Sequence, residues 1–477
     1  MRNLVTFFLF FTLLLTAWLY RDTFQAYFFQ DDWFTLRISQ TKNWKEALLF
    51  FIPRSDVVYY RPIGMQFYFF LTRSLFGLNP FAFHTINFFT HAINIILVYL
   101  VIYQITHNKK IALLTSFFFG TSTIHYIPFV WSSTFAFPLG FLFLLLTFFI
   151  YLKWINIRKN LLIIVLLITE ILALTSNEIA LILPILITFH MVIFKVINKQ
   201  IIVFTFILPL FYLLFRFAFL PQLADSYKIE FGTKTFKALF TYLLWLFNWP
   251  EEIRNQLENI LTGNYAFISS YLHLFILLGL LLIILSIFII RFLISLTIKD
   301  GKRPAEIKIV KFSLGLLVAG LIFPLLFPNH TYPYYLLPSS LGAYLIFSLS
   351  SYFNASFAPR ITKVFLLLAI CLLWITASVS SINFSSVNHW APTRAKISKM
   401  VTDDLLSHYP KLEVTEKIYM YNDPYLKVIL SGNEAFKVLY SNSTKTVYYG
   451  EEDLIWKNTS EVNPDILKMR LKLNFVK

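Results

Sequence analysis

Cysteine is all but missing: the one residue, Cys371, lies inside an apolar run. Neither an intrachain disulfide framework nor a thiolate metal site can therefore exist within one chain. Charge is scarce as well. Only 14% of the 477 residues are charged, 41 bases against 25 acids, too few to clothe a soluble fold of this length. No internal repeat of about 20 to 50 residues is visible, which argues against solenoids and propellers. There is no heptad run and no low-complexity tract, and no pair of similar halves with matching interrupted helices, the pattern common in transporters. The first apolar run ends Ala17-Trp18-Leu19-Tyr20 without a small-x-small cleavage site, so a retained signal anchor is expected rather than a cleaved peptide.

What the chain has is apolar surface. Hydrophobic residues make up 57% of it and the mean hydropathy is +0.66, so lipid is the expected solvent. Runs of the length that crosses roughly 30 Å of hydrocarbon are read at 4–20, 81–105, 111–120, 138–152, 161–175, 179–194, 201–220, 271–290, 312–327, 334–352 and 364–381. The expected fold class is an all-α polytopic membrane bundle of about 11 transmembrane helices over residues 1–381, a number set by counting apolar runs. Residues 382–477 change composition abruptly, with runs such as Lys417-Ile-Tyr-Met-Tyr and Lys445-Thr-Val-Tyr-Tyr alternating like strands. They are expected to form a small C-terminal α+β extracytoplasmic domain.

The net charge of +16 and pI near 9.6 would suit a nucleic-acid binder if the bases formed one patch. They do not. With the N-terminus cytoplasmic, the inward-facing segments collect Arg2, Lys109, Lys110, Lys153, Arg158, Lys159, Lys195, Lys199, Arg291, Lys299, Lys302, Arg303, Lys308, Lys311, Arg360 and Lys363, against only Asp300 and Glu306. That is the positive-inside pattern of an odd number of spans. The expectation is a multi-pass plasma (inner) membrane protein with its C-terminal domain extracytoplasmic and no nucleic-acid partner. The long segments 21–80, 221–270 and 382–477 then fall outside, where function is expected.

The external segment 21–80 carries Phe28-Phe29-Gln30-Asp31-Asp32-Trp33, two adjacent carboxylates just past the first span. Like charges and desolvation both raise carboxyl pKa values, which suits a general base taking a hydroxyl proton; an acidic helix cap explains the pair too. Next, Tyr59-Tyr60-Arg61-Pro62 brings a guanidinium whose planar fork fits a phosphate, or which anchors in an aromatic belt. His84, Asn87, His91 and Asn94 form one polar stripe on one helical face. Interhelical hydrogen bonding and the lining of a substrate groove both account for it. His125 and Tyr126, Glu178, His330, Tyr332 and Tyr335 are expected near the same external surface, Glu178 also reading as a helix cap. Glu170, within a span, either marks a site or reaches water one turn from the boundary.

In this order the pieces resemble the membrane half of the GT-C class of glycosyltransferases, especially the protein O-mannosyltransferase-like branch, over about residues 4–184. The resemblance rests on the outer acidic pair, the Tyr60-Arg61-Pro62 segment, and the Phe-Gly-x-Asn-Pro turn into the histidine-rich span. The loop from His125 to Trp131 and Asn177-Glu178 ahead of Pro184 complete it. It implies transfer of a sugar from a polyprenyl-phosphate donor to a hydroxyl of a protein, lipid or glycan acceptor in the cell envelope, as in protein glycosylation. By the same resemblance Asp31 is the general base with Asp32 beside it. Arg61, with neighbouring polar groups, holds the departing lipid phosphate. Read from their place at the external surface or in the polar stripe, Tyr60, His84, His125, Glu178, His330 and Tyr332 are expected as further donor or substrate contacts. The chain departs from that pattern after Trp131, where Ser132-Ser133-Thr134-Phe135 replaces an arginine and an acid, and at Asn177, where lysine is usual. Asp31-Asp32 lacks the spacer of Asp-x-Asp metal motifs, so the expectation is no cofactor and no obligatory metal, a weakly bound divalent cation at most. The competing readings are a transporter or flippase of lipid-linked glycans, whose important charges belong inside the bundle, and a non-catalytic membrane scaffold. The transferase reading requires Asp31 and Arg61 to converge at the non-cytoplasmic face.

Overall fold

The computed structural model describes residues 2–41, 43–221, 227–254, 256, 263, 265–298, 304–356, 359–411, 417–420, 424–440, 447–449 and 466–469. Lys299, Asp300, Lys302 and Arg303 of the basic loops lie outside the described residues. Its principal helices are α1 (Arg2–Leu19), α2 (Asp31–Ile38), α3 (Tyr68–Phe76), α4 (Pro80–Thr106), α5 (Lys109–Gly120), α6 (Tyr126–Val130), α7 (Ala136–Ile157), α8 (Asn160–Ser176), α9 (Leu183–Phe194) and α10 (Lys199–Phe219). They continue with α11 (Thr233–Leu246), α12 (Leu272–Ile298), α13 (Pro304–Leu326), α14 (Leu337–Ser356), α15 (Arg360–Asn388), α16 (Trp390–His408), α17 (Pro424–Ile429) and α18 (Glu434–Leu439).

Every apolar run read from the sequence falls on a helical segment. Among the described residues seven helices are long and apolar enough to cross a membrane. The pair Lys109–Gly120 and Thr123–Val130, bent by 45°, makes an eighth if it is one span, and Asn3–Leu19, Asn160–Ser176 and Glu178–Phe194 are shorter apolar helices. These helices fit a multi-pass membrane protein.

The helix ends follow from local chemistry. Asparagine opens three of them, because its side-chain oxygen accepts an otherwise orphaned first-turn N–H: Asn79 from Phe81, Asn108 from Lys110 and Ile111, Asn198 from Ile201. At three C-termini the chain turns through the left-handed region at His107, Arg158 and Lys195, with φ of 50°, 58° and 58°. Glycine is usual there, but Arg158 and Lys195 bring a cation to the negative end of the helix dipole. These turns share one end of the bundle with the short basic connections.

Inside, the polar stripe of α4 acts between helices. His84 Nε2 meets the Ala26 carbonyl at 2.8 Å, Asn94 donates to Pro138 at 2.9 Å, His91 Nε2 lies 3.4 Å from the Gly120 carbonyl, and Asn87 donates to Pro128. His91 meets the Gly120 carbonyl at the break between α5 and α6, and the other three reach carbonyls of neighbouring segments, so the stripe ties helices together by hydrogen bonds that lipid could not supply. Elsewhere small residues let backbones approach: a Cβ on Gly320 would collide with Ser339, and one on Gly342 with the Ser313 carbonyl.

At the other end of the bundle the long segments interlock. Tyr20 donates to the Ser122 carbonyl at 2.5 Å, Thr123 N–H to Asn248 at 3.0 Å, and Ser381 to the Asn248 carbonyl at 2.7 Å. Helix α15 continues past Ile382 to Asn388, so the chain leaves it at His389, whose Nδ1 caps α16 by accepting from Ala391 N–H. Beyond α16 stand α17, α18 and three short parallel strands, β1 (Lys417–Met420), β2 (Val447–Tyr449) and β3 (Ile466–Met469), in the order β2-β1-β3. The first two lie in the runs whose alternation suggested strands.

Candidate functional site

Helix α2 begins at Asp31, and its two acids have different surroundings. Asp32 is 1% exposed. Its Oδ1 accepts from Ser133 N–H at 2.6 Å and Ser133 hydroxyl at 2.7 Å, and its Oδ2 from Phe29 N–H at 3.2 Å. Desolvation pushes its carboxyl up from the usual range, those donors opposing. Asp32 thus ties α2 to the 131–135 loop through Ser133, one of the residues that follow Trp131. Asp31 receives no hydrogen bond on its carboxyl among the described residues. It is exposed to solvent, with Arg394 and Tyr332 close enough to act on its charge. Desolvation raises it to about 6, and the nearby Arg394 guanidinium restrains the rise.

Arg61 precedes a wide helical turn, Pro62–Phe67, that packs closely against the end of α8. A Cβ on Gly64 would collide with the Ser176 carbonyl, and one on Gly140 with Asn177. Only glycine at these two places lets the Arg61 segment reach the corner where Asn177 caps Glu178–Ile182. There Arg61 Nε pairs with Glu178 at 2.6 Å, the side chains 11% and 26% exposed. The guanidinium stands over Tyr59 at 4.3 Å and Phe137 at 5.0 Å. Desolvation opposes its charge, but Glu178, Tyr59 and Tyr227 outweigh that and raise its pKa. Tyr60 turns away, its hydroxyl on the Phe51 carbonyl at 2.9 Å and its ring against Phe215.

The segment 330–335 joins the two halves. Tyr59 donates to Tyr227 at 2.6 Å, and Tyr227 reaches His330 Nε2 at 2.6 Å. Desolvation, then the charges of Arg254 and Arg61, lowers His330 to about 4, so it is neutral near pH 7. Its ring lies 5.0 Å from that of Tyr332. The Tyr332 hydroxyl is raised by burial and feels Glu251, Arg254, Asp31 and Arg394. Arg254 stands over the Tyr332 ring at 5.6 Å and donates to the Thr331 carbonyl at 2.5 Å. Behind it, Glu251 approaches His389 Nε2 at 3.3 Å. A cavity of about 10 Å³, room for one water, lies beside Glu251, Tyr126 and Ser385.

The structure therefore brings Asp31, Arg61, Glu178, His330 and Tyr332 to one end of the bundle. It does not bring His84 or His125 to that set: they are 1% and 2% exposed. His84 is held on Ala26, while His125 is held on the Phe119 carbonyl at 2.7 Å, its ring 4.1 Å from that of His91. Glu170 does not reach water. It is fully buried, and neither carboxyl oxygen has a hydrogen-bond partner among the described residues.

Three residues of this end were not anticipated. Arg254 follows Glu251 at i+3 and Arg394 follows Trp390 at i+4, spacings that would have paired each with its neighbour on a helix; Tyr227 carried no signal. Among the described residues no three His, Cys, Asp or Glu side chains group as metal ligands would.

No family model matches this sequence. No curated protein matches it either. Among solved structures, an oligosaccharyltransferase from Archaeoglobus fulgidus, tethered to an acceptor peptide carrying the NVT sequon, aligns with 94% of this chain at 12% identity and a TM-score of 0.49. This chain spans 64% of that protein's length. A likeness of that degree assigns neither family nor chemistry.

Proposed function

We propose that this protein is a membrane glycosyltransferase of the GT-C type that moves a sugar from a polyprenyl-phosphate donor to an acceptor hydroxyl. One observation carries the reading: of two adjacent carboxylates, Asp32 is buried under three donors, while Asp31 is exposed, with Arg394 and Tyr332 near it. A base must be reachable and must be held still, and this pair divides those tasks.

In the proposed reaction Asp31 takes the proton of the acceptor hydroxyl as its oxygen bonds to the anomeric carbon. The bond from that carbon to the phosphate oxygen breaks, and the electron pair leaves with the lipid phosphate. Arg61 and Arg254 stabilise the charge that develops there, the guanidinium fork matching two phosphate oxygens. Glu178 takes Nε of Arg61, which orients its terminal nitrogens toward the phosphate. The prenyl tail stays in hydrocarbon while its phosphate sits at the interface, which is why a bundle of spans suits such an enzyme.

The test uses purified protein, a radiolabelled polyprenyl-phosphate sugar and envelope extract as acceptor. Wild-type protein is expected to transfer label, and Asp31→Asn and Arg61→Ala to lose most of it. Equal transfer by all three would remove the catalytic assignment.

A further inference from the structure

Asp31 is approached by the C-terminal segment, and the contact centres on the residue before it. Gln30 has φ 51° and ψ −120°, a backbone that glycine adopts freely and residues with a side chain rarely do. Two separate elements hold it there. Its N–H donates to the Ile429 carbonyl at the end of α17, at 2.6 Å. Its side-chain oxygen accepts from a terminal nitrogen of Arg394 on α16, at 2.5 Å. Arg394 is itself braced: Nε donates to the Tyr425 hydroxyl at 3.1 Å, and the guanidinium lies over Trp390 at 4.8 Å and Tyr425 at 5.3 Å. Further along α2, Trp33 donates to Ser398 and Arg37 pairs with Glu434. One side of α2 is thus fastened to the tail and the other, through Asp32, to Ser133.

We propose that the C-terminal segment is a working part of the catalytic centre, with Arg394 a positioning residue that holds Gln30 in its left-handed conformation and so aims the Asp31 carboxyl. The proposal rests on Asp31 being the base. The charged and titratable groups around Asp31 are Asp32 on its own helix, Arg394 from α16 and Tyr332 from the 330–335 segment, with Glu251 and Arg254 beyond Tyr332. Arg394 is the cation that acts on Asp31, so its removal changes both the direction and the acidity of the base.

Full-length protein assayed for label transfer tests this with Arg394→Gln, Arg394→Lys and Arg394→Gln combined with Gln30→Gly. Arg394→Gln is expected to lower kcat by roughly 10- to 100-fold, as for an ångström-scale misplacement, with donor KM within about twofold, and to move the acid limb of the pH profile upward. Arg394→Lys keeps the charge and so the limb, while losing part of kcat. The double variant regains kcat relative to Arg394→Gln, because glycine takes the conformation unaided. Gln30→Val lowers kcat more than Gln30→Gly, a contrast that stands even where Arg394→Gln does not fold. Wild-type kcat and pH profile in Arg394→Gln, a double variant no better than it, or equal effects of valine and glycine at position 30 would each overturn the proposal. If wild-type protein transfers label and Asp31→Asn does not, such a result removes only this inference. If Asp31→Asn transfers as wild type does, the functional reading fails and this one with it.

Discussion

Asp32 and Arg61 each bring a charge to the same end of the bundle, and the chain compensates them by different means. Asp32 is held by neutral donors, the Ser133 and Phe29 backbone and a serine hydroxyl, which oppose the upward push of burial on its carboxyl and leave Asp31 open beside it. Arg61 is compensated by a carboxylate, Glu178, and by aromatic faces, so its half is nearly neutral as a pair and an arriving anion competes with Glu178. Donors that are neutral fix direction without cancelling charge; a counterion cancels charge and can be exchanged. On the proposed reading, the exchangeable half belongs with the phosphate and the fixed half with the base.

Substitutions on the two halves separate these roles. The largest contrast is within the acidic pair. Asp31→Asn is expected to lower transfer by about 10²- to 10⁴-fold, the usual worth of a positioned base, with the unfolding midpoint unchanged. Asp32→Asn is expected to lower the midpoint instead, since an amide cannot accept from all three donors with both of its polar atoms and losing a buried hydrogen bond costs about 1–3 kcal/mol. The two effects are read by label transfer and thermal unfolding; equal loss of transfer and equal stability in both variants would erase the distinction.

On the other half, Arg61→Ala is expected to cut transfer by about 10²-fold, as for removal of one donor from a developing anion. Glu178→Gln, which frees the guanidinium, is expected to cut it less and to tighten inhibition by inorganic phosphate. Weaker phosphate inhibition in Glu178→Gln would show that Glu178 does not compete with the anion.

The pH dependence follows from the sign of the Asp31 shift. On the proposed reading Asp31 works unprotonated, and desolvation raises its carboxyl to about 6, so transfer is expected to fall about tenfold per unit below that value, a slope set by a single protonation. A limb centred near pH 4 would mean that the surrounding protein does not desolvate the carboxyl. Smallest of all is the effect of His125→Ala on chemistry. With its hydrogen bond to Phe119 in the core, its loss is expected to lower stability by about 1–3 kcal/mol and leave transfer per folded molecule unchanged. The reverse pattern would return His125 to the site.

Much of this was legible because lipid makes strict demands. Apolar runs announce helices, and each run coincides with one; Asn79, Asn108 and Asn198 could be read as caps from their place ahead of those runs. Arg61 was picked out as a guanidinium of the external segment and Glu178 as a helix cap or surface acid, but that they pair with each other needed Gly64 and Gly140 to bring two segments together across more than a hundred residues of chain. His84 stood out in the polar stripe and His125 and His330 near the external surface, and only packing told them apart: His84 and His125 are 1% and 2% exposed against backbone carbonyls, while His330 faces Tyr227 and Arg254.

By itself the sequence determined where the helices run and which connections gather the positive charge, because hydropathy and charge act on each segment separately and the membrane reads them locally. Which of two neighbouring aspartates is free, and that the far tail reaches Gln30 through Arg394 and Ile429, were decided only by the tertiary structure. Adjacent residues of like type differ in nothing but their surroundings, and surroundings are made by parts of the chain that no local pattern connects.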